Sequence, residues 1–173
     1  MNLKVKNMIY CSMFACIIVI LAQVQITLPS LVPLTLQTLG IYLTAILLKP
    51  RLALITSLVY VLMGAIGLPV FTGFSGGIGI LLGPTGGYIY SFPLMALIIS
   101  MVINHHTTVL FKIIAMILGT LICYLIGTLW FMYVMQMSLV PSLIACVLPF
   151  LPGDAIKIII AAFLSNKLKV IKD

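Results

Sequence analysis

The residues of this chain best suited to chemistry are one acid and one base, three positions apart near its C-terminus. The sequence contains only two acidic residues. Asp173 is the last residue, whereas Asp154 precedes Lys157 and a long apolar run. Residues at i and i+3 lie on one face of a helix, so the carboxylate and the ammonium group would be neighbours. Together they suit a small polar ligand that carries N–H donors and a carboxylate.

The composition places this pair in a membrane. Of the 173 residues, 64% are hydrophobic and 6% are charged, and the mean hydropathy is +1.36. A soluble domain carries about 25% charged residues. The apolar runs are continuous rather than alternating, which favours helices over a membrane β-barrel. We predict an all-α integral membrane protein in the lipid bilayer of the cell membrane, with residues 1–173 forming a single domain.

An ionisable pair inside a bilayer is costly, so Asp154 and Lys157 predict a functional site. The alternative is that the acid complements the dipole of a helix N-terminus and the base only masks its charge. We favour a ligand site because the predicted spans contain no other carboxylate.

Six apolar runs predict six transmembrane helices, since a bilayer core needs about 20 residues per helix. The first run resembles a signal peptide but has no convincing cleavage site, so we interpret it as a retained helix. The last run is predicted to be broken by Pro149 and Pro152, with its second part starting near Asp154. The predicted spans are residues 8–28, 33–48, 52–68, 85–103, 109–132 and 139–168.

The basic residues indicate how the six spans are oriented. Lys and Arg occur at the chain ends and in even-numbered loops, and odd-numbered loops carry none near their middles. The positive-inside rule then places both termini in the cytoplasm. The net charge of +7 reflects this topology, and no nucleic-acid partner is predicted. Asp154 would face outward, as expected of a pocket loaded from outside.

A glycine-rich segment, residues 70–88, would lie on the same outer side. Glycine permits irregular backbone and close approach to a ligand, so this segment is predicted to cover a pocket; a flexible outer loop is the alternative. Residues 73–77 also match the G-x-S-x-G pattern of serine hydrolases, which needs a histidine partner. Because His105 and His106 are predicted on the opposite side, we discount that chemistry.

Two further features leave two interpretations open. Gln37 lies inside an apolar run, where its amide makes either an interhelical contact or a ligand contact. Small residues on the first span form a face that packs either within the chain or against a partner protein. That face comprises Cys11, Ser12, Ala15 and Ala22.

Resident cofactors and metals are not predicted. The four cysteines form no C-x-x-C pair, and all lie in apolar runs, as buried free thiols do. The sequence also has no Walker A motif, so the chain cannot drive transport by hydrolysing ATP itself.

Four motifs together resemble the BioY family, the biotin-binding substrate components (S components) of energy-coupling-factor (ECF) transporters. The resemblance covers nearly the whole chain. The motifs are residues 32–38 (VPLTLQT), 64–71 (GAIGLPVF), 83–88 (GPTGGY) and 149–154 (PFLPGD) with Lys157.

This resemblance implies a six-helix fold that captures biotin with high affinity at the outer face. It also implies a complex with a transmembrane coupling protein and two cytoplasmic ATPases, and a contact between the coupling protein and the small-residue face of the first helix. Biotin would be the transported ligand, and the chain would not be an enzyme. The family's acid and base carry over to Asp154 and Lys157, and its glycine-rich segment carries over to residues 73–88. The substrate-binding residues expected from these positions and from Gln37 are Gln37, Gly73, Phe74, Gly86, Gly87, Tyr88, Asp154 and Lys157.

Other functions remain as alternatives. An S component for another vitamin, such as riboflavin or thiamine, would have the same architecture. A membrane-embedded enzyme would need a second carboxylate, a metal cluster or a nucleophile with its base on one face, and the sequence offers none of these. A purely structural membrane subunit is the third alternative.

Overall fold

The computed structural model describes residues 3–26, 32–105 and 108–167. These ranges are mostly helical, with one short pair of strands. Six helices contain ten or more residues: α1 Leu3–Gln23, α2 Gln37–Leu47, α3 Pro50–Ala65, α5 Gly86–His105, α6 Val109–Met135 and α8 Leu151–Lys167. The shorter elements are strands β1 Gln25–Ile26 and β2 Leu34–Thr35 and helices α4 Ile78–Leu82 and α7 Leu139–Cys146.

Local sequence explains where several helices begin and end. Pro50 is the first residue of α3, where its missing N–H is tolerated and its fixed φ suits a helix. Helix α6 ends at Met135, and the next residue, Gln136, adopts a left-handed conformation with φ of 53°. Pro152 lies within the first turn of α8 and does not interrupt it. The chain breaks instead at residues 147–150, between α7 and α8.

Helices α5 and α6 form the most extensive pair in the bundle, and glycines let them approach closely. A Cβ at Gly87 would overlap the Trp130 side chain, and a Cβ at Gly127 would overlap the Tyr88 ring. Small residues at a helix interface allow this close contact in membranes. Helices α2 and α3 pack on α5, α8 packs on α2 and α6, and α1 covers α2 and α3.

Within the described residues, three helices are long and apolar enough to cross a membrane: α1, α5 and α6. Helices α7 and α8 meet at a bend of 49° and form a fourth candidate if they are counted as one span. Helices α2 and α3 are apolar but shorter, with 11 and 16 residues. The chain is therefore a mostly helical membrane protein, and the count of six spans stays a prediction.

The observed elements differ from the predicted spans mainly at their ends. The first helix covers 3–23 rather than 8–28, because two lysines at its start are included and β1 follows its end; residues 27 and 28 lie outside the described residues. The second span is shorter where β2 precedes it, and the third is shorter where residues 66–68 are not helical. The sixth predicted span is two helices, and residue 168 lies outside the described ranges.

One end of the bundle collects the basic residues. Lys112 of α6 donates a hydrogen bond to Ser165 of α8 over 3.1 Å, and Ser100 of α5 donates to the carbonyl of Leu48 over 2.7 Å. These contacts join the start of α6 to the end of α8 and the end of α5 to the α2–α3 turn. The early part of α1 lies on the same side, because the Cys11 thiol is 3.9 Å from the Leu52 carbonyl in the first turn of α3. We call this the basic end; it carries Lys4, Lys6, Lys49, Arg51, Lys112 and Lys167.

Candidate functional site

A cavity of about 250 Å³ lies at the opposite end of the bundle from the basic end. Its wall combines the β1–β2 hairpin, the glycine-rich segment, the neighbouring ends of α2, α5 and α8 and the middle of α6. The apolar part of the wall includes Phe71, Ile89, Phe92, Met95 and Phe150. Small-ligand pockets have this character, with apolar walls and a few polar groups that fix orientation. We call the part of the molecule around this cavity the cavity end.

Asp154 and Lys157 line this cavity and form a buried ion pair. Lys157 Nζ lies 2.7 Å from Asp154 Oδ1, and the two residues are 4% and 5% exposed, respectively. Both come from the first two turns of α8, so the i, i+3 spacing predicted from the sequence produces the contact. The carboxylate also lies at the N-terminal end of α8, where the helix dipole stabilises a negative charge.

Two hydroxyl groups complete the surroundings of the pair. Thr38 Oγ1 of α2 accepts a hydrogen bond from Lys157 Nζ over 2.9 Å and donates one to Asp154 Oδ1 over 3.3 Å. The Tyr124 hydroxyl of α6 donates a hydrogen bond to Asp154 Oδ2. Three helices therefore converge on one carboxylate, and both of its oxygens already accept hydrogen bonds. Buried charges are tolerated when they are paired and hydrogen-bonded in this way.

A second layer of hydrogen bonds supports the cavity wall. Tyr42 and Thr120 join α2 to α6 through hydroxyl oxygens 2.6 Å apart. Gln37 lines the cavity and donates to the Tyr60 hydroxyl, which in turn donates to the carbonyl of Val70 over 3.1 Å. Gln37 thus makes an interhelical contact, and its position in the cavity wall leaves a ligand contact as a prediction.

The glycine-rich segment is held against α1 by one side chain. Gln23 Oε1 accepts a hydrogen bond from the Phe74 backbone N–H over 2.8 Å, and its amide nitrogen donates to the Phe71 carbonyl over 3.2 Å. Phe71 also packs edge-on against Tyr60, with ring centroids 5.6 Å apart. The part of this segment that lines the cavity is therefore anchored by both α1 and α3.

The other residues expected from the motifs occupy different positions. Tyr88 lines the cavity and donates its hydroxyl proton to the Cys146 carbonyl over 3.0 Å. Gly86 and Gly87 are buried beside Trp130, where they position the start of α5. Gly73 and Phe74 form a tight turn with φ of 69° and 53°, and Phe74 is 73% exposed. Of these five, Tyr88 is the one that reaches the cavity wall.

The small-residue face of α1 is divided between the interior and the surface. Ala15 and Ala22 are 3% and 0% exposed, so they pack within the chain. Ser12 is exposed, and Cys11 is partly exposed with its thiol 3.9 Å from the Leu52 carbonyl. A partner on this side of α1 would meet Ser12 and Cys11 before it met the two alanines.

Metal and hydrolase chemistry find no support at this site. Within the described residues, no group of three His, Cys, Asp or Glu side chains could hold a metal ion. The Ser75 hydroxyl donates a hydrogen bond to the Thr72 carbonyl over 2.8 Å, and not to a histidine. His105 ends α5, about 28 Å along the helix axis from Gly86 at the cavity end. His106 lies outside the described residues.

Comparison with known proteins decides the family. The profile of the BioY family matches residues 1–172. The chain belongs to the BioY family. The resemblance inferred from the four motifs is thereby confirmed.

Individual BioY proteins match over nearly their full lengths. The chain is 34% identical to the probable biotin transporter BioY of Pyrococcus horikoshii over 167 residues, which cover 96% of this chain and 98% of that protein. It is 38% identical to biotin transporter BioY2 of Lactococcus lactis, with coverage of 92% and 87%. It is 32% identical to biotin transporter BioY of Thermotoga maritima, with coverage of 95% and 96%.

A solved structure has the same fold. The S-component for biotin from an ECF-type ABC transporter superposes with a TM-score of 0.91 and 29% sequence identity, covering 99% of this chain and 96% of that chain. The chain therefore has the fold of a BioY S-component.

Thr38 and Tyr124 are the site residues that sequence reasoning missed. Thr38 stands beside Gln37 in one of the BioY motifs, and Tyr124 is a phenol in the middle of a long apolar run. A polar side chain inside a membrane-spanning run needs a hydrogen-bond partner, and this requirement could have indicated that Tyr124 belongs to a site. Asp154 could not be named as the partner of Thr38 and Tyr124 without knowing that α2 and α6 both pack on α8.

Proposed function

We propose that this chain takes up biotin as the substrate-specific S component of an ECF-type ABC transporter. Its BioY relatives are biotin transporters, and the solved protein with the same fold is the S-component for biotin. The chain is a transporter component and not an enzyme. The structural observation that carries the proposal is the buried Asp154–Lys157 pair in the wall of an apolar cavity.

The chemistry of biotin complements this cavity. The ureido ring offers two N–H donors and one carbonyl acceptor, and Asp154 and Lys157 offer an acceptor and a donor side by side. Asp154 receives an N–H of the ring, and Lys157 donates to the ring carbonyl. Phe92, Met95 and Tyr88 supply apolar contact for the sulfur-containing ring and the chain. Four of the expected residues lie outside the cavity lining, so they shape the glycine-rich segment and the start of α5 rather than contact biotin: Gly73, Phe74, Gly86 and Gly87.

The arrangement in the cell membrane follows from the two ends of the bundle. The chain crosses six times, with α7 and α8 as one broken span and α2 and α3 as two short ones. Positive charge is retained on the cytoplasmic side, so the basic end and both termini lie there. The cavity end then faces outward, and biotin enters from outside. Trp130 and Tyr133, near the end of α6, fit the aromatic belt at that interface.

Energy for uptake comes from partner proteins. The sequence has no Walker A motif, so ATP hydrolysis belongs to two cytoplasmic ATPases that act through a transmembrane coupling protein. The exposed side of α1 that carries Ser12 and Cys11 contacts the coupling protein. Their small size permits close helix approach.

Direct binding tests this function. The full chain, purified in detergent or nanodiscs, is titrated with biotin, riboflavin and thiamine by calorimetry. We expect a dissociation constant for biotin below about 1 µM. Riboflavin and thiamine are expected not to bind at concentrations of roughly tens of micromolar. Preferential binding of riboflavin or thiamine would assign the chain to another vitamin. Absence of binding by a folded sample would reject the S-component role.

A further inference from the structure

The charges around the cavity are confined to one place. The cavity end includes three stretches, residues 24–36, 66–88 and 133–153, which comprise the connecting segments between the long helices and the helix turns next to them. These stretches contain no Asp, Glu, Lys, Arg or His. Residues 27–31, which lie outside the described ranges, read TLPSL and add no charge. Asp154 and Lys157 are therefore the one charged couple that the sequence supplies at this end.

The buried part of the cavity is already balanced in charge. Lys157 Nζ contacts Asp154 Oδ1 at 2.7 Å and Thr38 Oγ1 at 2.9 Å, so two of its three protons are used. An anionic group brought to Lys157 would also approach the Asp154 carboxylate, which repels it. A neutral group with a donor and an acceptor meets no such penalty. The charged tail of a ligand therefore belongs at the other part of the cavity.

The exposed part of the cavity is polar but neutral. Gln25 lines the cavity and is exposed, which places it at the opening. Partly exposed hydroxyl side chains line the same region, from the hairpin and the glycine-rich segment: Thr35, Thr72, Ser75 and Thr85. Hydroxyl and amide groups can donate to a carboxylate and can equally accept from an amide. A carboxylate without a cation keeps its water, because burying it unpaired is very costly.

We infer that this cavity recognises the ring of its ligand and does not read the charge of the tail. The substrate class is thus cyclic ureas with an apolar chain that ends in either a carboxylate or a neutral carboxamide. This inference rests on the proposed function, since the ring end is the group that Asp154 and Lys157 hold. It goes further than the proposed function, because it states which tails the opening of the cavity accepts.

Biotin and biotinamide form a matched pair of probes, because a carboxylate and a primary carboxamide have nearly the same shape. Each competes against radiolabelled biotin for the full chain in nanodiscs at low and at high salt. We expect the two dissociation constants to agree within about threefold, and the value for biotin to change little with salt. Biotinamide binding weaker by about 30-fold or more would overturn the inference, because such a loss requires a specific carboxylate contact.

Placing a cation at the opening provides a second test. The Thr72→Lys variant puts an ammonium group on the exposed wall, and we expect it to create a preference for biotin over biotinamide of about fivefold that falls at high salt. The control is Thr108→Lys, at an exposed position of the basic end, which leaves the ratio unchanged. No gain of preference in a Thr72→Lys protein that binds biotin would count against a tail at that wall. If the parent protein fails to bind biotin, that result would instead reject the proposed function and the inference with it.

Discussion

The Asp154 carboxylate has three partners, and each of them contributes in a different way. Lys157 compensates its charge, Thr38 bridges the two, and Tyr124 occupies its second oxygen. A buried ion pair stabilises a protein little compared with apolar residues, but breaking it leaves an uncompensated charge. The pair is therefore expected to serve the ligand rather than the fold.

Removal of the charge partner tests that distinction. In Lys157→Met the Asp154 carboxylate stays buried without a cation, which costs about 3–5 kcal/mol of folding free energy. The double variant Asp154→Asn with Lys157→Met removes both charges, so its thermal stability is expected to return towards that of the parent, whereas biotin binding stays lost. Thermal unfolding in detergent and biotin titration measure the two properties separately. Biotin binding by the double variant at parental affinity would exclude the pair from the site.

The Tyr124 hydroxyl group offers a milder change on the same carboxylate. Tyr124→Phe keeps the ring and removes the donor to Asp154 Oδ2, a hydrogen bond to a charged group worth about 1.5–3 kcal/mol. We expect biotin to bind about tenfold or more weakly, because Asp154 is no longer held in place. The matched control is Tyr133→Phe on the same helix, where the side chain is 72% exposed. Equal affinities for the two variants would mean that Tyr124 does not position the carboxylate.

Among the elements, α5 and α6 were the easiest to predict, and the reason is physical. Their apolar runs are long and end at polar residues, so the predicted spans 85–103 and 109–132 differ from the helices by at most three residues at either end. Pro152 was misleading, because a proline in the first turn of a helix breaks nothing. Strands β1 and β2 and helix α4 have two to five residues each, too few to show a periodic pattern.

The candidate site was partly predictable for a related reason. Asp154 and Lys157 stand out because charges are rare in this chain, and their contact needs only the geometry of one helix. Thr38 and Tyr124 reach the same carboxylate from other helices, and that register depends on tertiary packing. Likewise, glycine in residues 70–88 signalled close approach, but the sequence did not say whether a ligand or Trp130 was the neighbour.

The junction between α3 and the glycine-rich segment tests how an element controls the cavity. A Cβ at Gly64 would overlap the Phe71 ring, which is buried and lines the cavity. Gly64→Ala is expected to displace Phe71 at a cost of about 1–3 kcal/mol and to weaken biotin binding. Gly79→Ala is the control, because a Cβ there meets nothing within 4 Å and alanine favours α4. The melting temperature and the biotin affinity should fall in the first variant and not in the second. Normal affinity in Gly64→Ala would show that the cavity tolerates movement of Phe71.

At the scale of the whole molecule, the two ends differ in charge, and we expect this difference to set the orientation of the chain in the membrane. The basic end carries six described lysine and arginine residues, whereas the connecting segments of the cavity end carry none; Lys169 and Lys172 lie outside the described residues. The positive-inside rule predicts that the basic end lies in the cytoplasm.

Labelling of single cysteines in intact cells tests this orientation. In a background without the four native cysteines that still binds biotin, Ser138→Cys places a thiol at an exposed position of the cavity end, and His105→Cys places one at an exposed position of the basic end. A membrane-impermeant maleimide is expected to label Ser138→Cys in intact cells and His105→Cys only after permeabilisation. The two positions flank the 27-residue helix α6, which is long enough for one crossing. The reversed pattern would invert the protein and place the cavity on the cytoplasmic side, and labelling of both in intact cells would mean that α6 does not cross. Loading of biotin from outside therefore requires the first pattern, because the Asp154–Lys157 pair is reached through the cavity end.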